Sequence, residues 1–233
     1  MEIDARFKAT EQLDGKMLIN GELRGSSCDQ WLESRCPATQ ELIGRVPNAS
    51  ADEMTEAVTA AKEASKAWRR TTQKQRVALI EEIAQRLEAR AEEFAKIEAL
   101  DTGNTVGPMT NDVHKAVERM RFYCGLAYEL KGMTVPSTPE NIHLTLREPY
   151  GVVGRIIPFN HPIGFAASRI APALIAGNTI VVKPSEQAPL SASLLAEICA
   201  EVAPPGVINI VTGDRVTGEV LVRDPRVKRI AFI

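Results

Sequence analysis

Val152-Val153-Gly154-Arg155-Ile156-Ile157, Thr179-Ile180-Val181-Val182-Lys183, Val207-Ile208-Asn209-Ile210-Val211 and Arg229-Ile230-Ala231-Phe232-Ile233 are the four stretches that decide the fold of this chain. Each is short, apolar and rich in β-branched side chains, as suits a strand buried on both faces. Segments of helical length separate them: Gly164 to Ala176, closed by Gly177-Asn178; Leu190 to Val202; and Val216 to Val222. Repeated strand–helix units imply an α/β fold, a parallel sheet with helices on both faces and right-handed crossovers. The fourth strand feeds no helix and no cap, so the chain is expected to stop inside a domain at residue 233.

Upstream of Tyr150 the pattern changes. Ile142-His143-Leu144-Thr145-Leu146-Arg147 alternates apolar and polar residues, predicting an isolated strand with one dry and one wet face, available for pairing outside its own block. Before it, residues 51–130 read as helical. Ser50 and Glu53 have the spacing of a capping box, and Met54, Val58, Ala61, Ala64, Ala67 and Trp68 form an inward stripe. A second helix fits Gln73 to Ala89 with Val77, Ile80, Ile83, Ala84 and Leu87 inward. A third covers Glu92 to Leu100 and stops near Gly103, and a fourth runs from about Asn111 to Leu130. Residues 17–35 read as short strands, with Asn20-Gly21 as a tight turn. Three parts are expected: residues 1–135, a protruding segment 136–150, and the strand–helix part 151–233.

The chain has 233 residues, 44% hydrophobic and 25% charged, which suits a globular protein with a real core. A formal net charge of −2 gives no electrostatic footprint for nucleic acid or an anionic membrane surface. No apolar run reaches membrane-spanning length, and MEIDARFKAT at the start has no secretory pattern, so a cytoplasmic location is expected. Cys28, Cys36, Cys124 and Cys199 form no CxxC pair and have no His at ligand spacing; they read as free thiols, and no metal site is expected.

Parallel sheets bind ligands beyond the carboxyl ends of their strands. After the first strand comes Pro158-Phe159-Asn160-His161-Pro162. Asn160 either caps the following helix or offers its amide to a developing oxyanion. His161 is either a general base or a hydrogen-bonding group at the helix start. After the second strand, Lys183 and Glu186 are either a solvated pair or the two groups that hold a nucleotide ribose, the carboxylate disfavouring a 2′-phosphate and so favouring NAD over NADP. After the third strand, Gly213 permits a tight turn toward a phosphate; Gly213-Asp214-Arg215-Val216-Thr217-Gly218 is not a G-x-G-x-x-G fingerprint.

Taken together, these motifs resemble the aldehyde dehydrogenases. The resemblance is carried by Pro149-Tyr150-Gly151-Val152-Val153-Gly154-Arg155-Ile156-Ile157-Pro158-Phe159-Asn160, by Ala171-Pro172-Ala173-Leu174-Ile175-Ala176-Gly177-Asn178-Thr179, by Val182-Lys183-Pro184-Ser185-Glu186 and by Pro205-Gly206-Val207-Ile208-Asn209-Ile210-Val211-Thr212-Gly213, in order along the chain. Ile19-Asn20-Gly21 and Leu100-Asp101-Thr102-Gly103 agree. It implies a Rossmann-like cofactor domain binding NAD, with NADP as the alternative, and an aldehyde substrate oxidised to an acid through a cysteine thioester. By resemblance, Asn160 is the oxyanion donor. Ile156, Ile157, Pro158 and Phe159 line the cofactor cleft, Lys183, Ser185 and Glu186 surround the ribose, and Gly213 and Gly218 lie near the adenine. Residues 142–147 resemble an oligomerisation hairpin, implying a dimer or tetramer. The Gly-Gln-x-Cys and Glu-Leu-Gly-Gly segments that carry the family's nucleophile and base do not occur here, nor does the Gly-Ser pair that follows the fourth strand. The chain alone is therefore expected to be inactive. The alternative reading is a non-catalytic nucleotide-binding or assembly module.

Overall fold

The computed structural model describes residues 12–232; the readings of Met1–Thr10 and of Ile233 lie outside them. Five short strands come first: β1 (Leu13–Asp14), β2 (Met17–Ile19), β3 (Glu22–Arg24), β4 (Trp31–Arg35) and β5 (Leu42–Pro47). Asn20 and Gly21 both take positive φ, 53° and 84°, the backbone a two-residue hairpin turn demands between β2 and β3.

Four helices follow: α1 (Ala51–Trp68), α2 (Gln73–Ala89), α3 (Ala91–Thr102) and α4 (Val106–Gly125), the last ending in a 3₁₀ turn at Ala127–Glu129. Ser50 and Glu53 form the capping box, and Thr72 and Gln75 form a second one at α2. Two expectations are corrected. Ala67 is exposed, because the buried stripe of α1 runs Met54, Ala57, Val58, Ala61, Ser65, Trp68 and leaves it on the opposite face. Helix α4 starts at Val106, not near Asn111, because Pro108 falls in the first turn, where no intrahelical N–H is needed.

The hairpin β6 (Thr134–Thr138) and β7 (Asn141–Leu144) is antiparallel and exposed throughout. Its expected dry face is therefore uncovered in this chain, with Val135, Ile142, Leu144 and Leu146 open to solvent.

The strand–helix part is β8 (Val152–Ile156), α5 (Pro162–Ile175), β9 (Thr179–Lys183), α6 (Leu190–Val202), β10 (Ile208–Ile210), α7 (Arg215–Arg223) and β11 (Val227–Ala231). The six-stranded sheet has the order β11-β8-β9-β10-β2-β3; β11, β8, β9 and β10 are parallel, and β2 joins β10 antiparallel. Ile180, Val182, Ile208 and Ile210 pack under α5 and α6, on which α2 and α4 pack in turn, while Val152, Val181 and Val211 pack under α1 and α7. From β8 the chain steps to β9 and β10 in one direction, then returns to place β11 on the other side of β8. A crevice therefore opens between the carboxyl ends of β8 and β11, the place where open parallel sheets bind ligands. A smaller sheet, β1-β5-β4, lies beside it.

Candidate dinucleotide and oxyanion site

The loop after β8 holds Ile157, Pro158, Phe159 and Asn160 at this crevice. Ile157 is buried and its N–H donates to the Lys183 carbonyl at 3.0 Å, tying the ends of β8 and β9 together. Ile156 and Pro158 are half-buried, and Phe159 is exposed. Asn160 is exposed. Among the described residues its side chain makes no hydrogen bond, and its carbonyl accepts from Asn104 Nδ2 at 3.0 Å. The helix-cap reading of Asn160 is thereby set aside: the N-cap position of α5 belongs to His161. His161 does not cap with its side chain; Nδ1 lies 2.5 Å from Asp112 Oδ2 on α4. That partner is distant in sequence and was not visible there.

Lys183 ends β9 with its side chain 5% exposed, and Nζ is 3.0 Å from Glu186 Oε2. A lysine so deeply buried is held by a carboxylate, not solvated, so the surface-pair reading fails. Burial raises the Glu186 carboxyl, but its own backbone N–H and Lys183 outweigh that and hold it below the usual range. Glu186 is thus ionised at neutral pH while still 46% exposed, free to accept from hydroxyls. Ser185 Oγ accepts from Gln187 N–H at 3.2 Å. Gly213, after β10, is buried against Thr217: a Cβ there would meet Thr217 Oγ1 at 2.5 Å. Asp214 caps α7 through Val216 N–H at 2.7 Å and exchanges hydrogen bonds with Asn48. A Cβ on Gly218 would meet nothing, so close backbone packing gives no reason for a glycine there.

Sequence reading missed what holds these loops. Glu98 and Asp101 project from α3 into the core, 0% and 4% exposed. Glu98 Oε1 accepts from Ile163 N–H in the first turn of α5 at 2.7 Å and from Ser191 Oγ in the first turn of α6 at 2.6 Å. Asp101 accepts from Leu190 N–H at 2.9 Å and from the Ser34 hydroxyl. Burial, the largest cause, pushes their carboxyls up to about 8 and about 6. One turn of α3 thus pins the starts of α5 and α6, the helices that follow the loops after β8 and β9. The only sequence signal was two acids at i, i+3 on a face otherwise set by Phe94 and Ala95.

The profile of the aldehyde dehydrogenase family matches residues 24–233. The chain belongs to the aldehyde dehydrogenase family. It is 36% identical over 220 residues to an aldehyde dehydrogenase of Talaromyces stipitatus, covering 93% of this chain and 43% of that one. Among solved structures, the NAD-dependent aldehyde dehydrogenase of Sinorhizobium meliloti superposes with a TM-score of 0.93 at 34% identity, covering 98% of this chain and 46% of that one. The NADP-dependent glyceraldehyde-3-phosphate dehydrogenase of Bacillus halodurans C-125, in complex with NADP, gives 0.90 at 33%, covering 95% and 48%. This aldehyde dehydrogenase chain spans less than half the length of these relatives.

Proposed function

We propose that this chain is the dinucleotide-binding part of an NAD-dependent aldehyde dehydrogenase that oxidises an aldehyde to a carboxylic acid through a cysteine thioester. The observation that carries the reading is the buried Lys183 paired with an ionised, half-open Glu186 at the carboxyl end of β9, one strand from the β8–β11 crevice that holds Asn160. Lys183 and Glu186 would bind the adenosine ribose hydroxyls, with Ser185 beside them and Ile156, Ile157, Pro158 and Phe159 lining the cleft. The negative charge of Glu186 would repel a 2′-phosphate, which favours NAD over NADP. When bound, the dinucleotide supplies the hydride acceptor.

Asn160 Nδ2 is the group this chain offers to the carbonyl oxygen as thiolate attack makes it negative. With no competing partner among the described residues, and with its backbone held by Asn104, it donates without first breaking a hydrogen bond. The thiol and the general base must come from elsewhere. Cys28, Cys36, Cys124 and Cys199 are free and none lies in the loops after β8, β9 or β10; Cys199 is fully buried and its thiol is pushed up to about 12. The exposed apolar residues of the β6–β7 hairpin favour pairing with another subunit. No helix among the described residues is long and apolar enough to cross a membrane, and we place the protein in the cytoplasm.

The test is twofold. Residues 1–233 alone should not oxidise aldehydes, for lack of a nucleophile. In the protein that also carries the family's Gly-Gln-x-Cys segment, Asn160→Ala should lower kcat by about 10²–10³ with little change in cofactor affinity. Robust turnover by the chain alone, or full activity of the Asn160 variant, would refute this function.

A further inference from the structure

A second cleft, of about 420 Å³, lies on the α5 face of the sheet. Its floor is Val153 and Arg155 of β8 with Arg229 and Ala231 of β11, paired in register, and Arg169 of α5 forms a wall. Arg155 projects to this face, whereas Ile156 and, by register, Lys183 project to the α1–α7 face. The cleft is therefore separate from the proposed dinucleotide site.

Arg155 is 5% exposed, yet its Nε and Nη2 are buried with no hydrogen-bond partner among the described residues; the same holds for Arg169 Nε. Arg76 shows what a buried guanidinium in this protein ordinarily has. It donates to Thr71 Oγ1 and to the carbonyls of Ile175, Trp68 and Arg69. Arg155 has none of this. Its charged neighbours across the cleft are two further guanidiniums, Arg169 and Arg229, and among the described residues no acidic side chain lines the cleft. Arg229 rests over the Tyr150 ring, 6.0 Å from its centroid, which holds it at the mouth. A buried, unpaired cation is costly, and a second cation beside it makes it more so. What lowers that cost is a planar or tetrahedral oxyanion that takes two N–H donors from one fork and charge from the other arginines.

We propose that the Arg155–Arg169–Arg229 cleft binds a small, multiply charged oxyanion of the phosphate or polycarboxylate class. The cavity is of a size suited to a small molecule. Arg155 supplies the paired donors, Arg169 a second charge from the wall, and Arg229 closes the mouth.

The test is thermal unfolding of the 1–233 chain in inorganic phosphate or citrate, against chloride at matched ionic strength. Phosphate is expected to raise Tm saturably in the wild type. In Arg155→Gln and Arg229→Gln the half-saturating concentration should rise about tenfold, while the exposed Arg215→Gln control stays like wild type. Arg229 is exposed, so its variant is informative even if Arg155→Gln folds poorly. Equal phosphate stabilisation of wild type, Arg155→Gln and Arg229→Gln would overturn the proposal. So would no rise beyond chloride, which would leave the guanidiniums to a protein carboxylate.

Discussion

Replacing Glu98 by Gln should change how stability depends on pH. In the fold this carboxyl is pushed up to about 8, chiefly by burial and further by Asp101 and Asp112, against hydrogen bonds from Ser191 and Ile163 that lower it; its ordinary value is 4.5. The folded value is the higher one, so folding takes up a proton between the two. The Glu98 contribution is then fully present below about 4.5 and is lost as pH rises through about 8. At about 1.4 kcal/mol per pH unit, the loss across that window is on the order of 5 kcal/mol. Gln keeps the oxygen that accepts from Ile163 and Ser191 but does not titrate. Near pH 5 the variant should sit within about 2 kcal/mol of wild type, its amide nitrogen taking the place of Oε2, which has no partner among the described residues. Near pH 9 the variant should be the more stable protein. Urea unfolding across this range reads both curves. Parallel curves for wild type and Glu98→Gln would refute the reasoning.

Gly213→Ala should destabilise by about 1–3 kcal/mol in urea unfolding, since the new methyl meets Thr217 Oγ1 at 2.5 Å and Cγ2 at 2.7 Å. Arg76→Met should cost about 3 kcal/mol by the same assay, because it leaves the Ile175 carbonyl without its buried donor and removes the hydrogen bonds to Thr71 Oγ1 and the Arg69 carbonyl. A thiol reagent should label Cys28 quickly in the native chain and leave Cys124 and Cys199 unreacted until unfolding, since burial pushes both of those thiols up to about 12.

The parallel sheet was legible because Val152–Ile157 and Thr179–Lys183 are buried on both faces, so their apolar runs have no competing reading. The loops that carry the proposed site were legible as loops because they follow those strands. The start of α4 was not, since Gly107 and Pro108 look like breakers when their place in the first turn is unknown. The residue pattern gave only one strand here, because Pro136 masks the first; the hairpin came from the family resemblance, and alternation in Ile142–Arg147 says nothing of what covers it. Glu98, Asp101 and Asp112 escaped because their partners lie 49 to 93 residues away. A buried acid is recognisable in a sequence only when its donor is known, and no local pattern supplies that.

The most direct test of the central claim is calorimetric titration of NAD into the chain and into Glu186→Ala. A ribose held by the Lys183–Glu186 pair predicts binding that weakens about 10- to 100-fold in the variant, the worth of a hydrogen bond to a charged group. Equal affinity in the two proteins would contradict the placement of the dinucleotide at the end of β9.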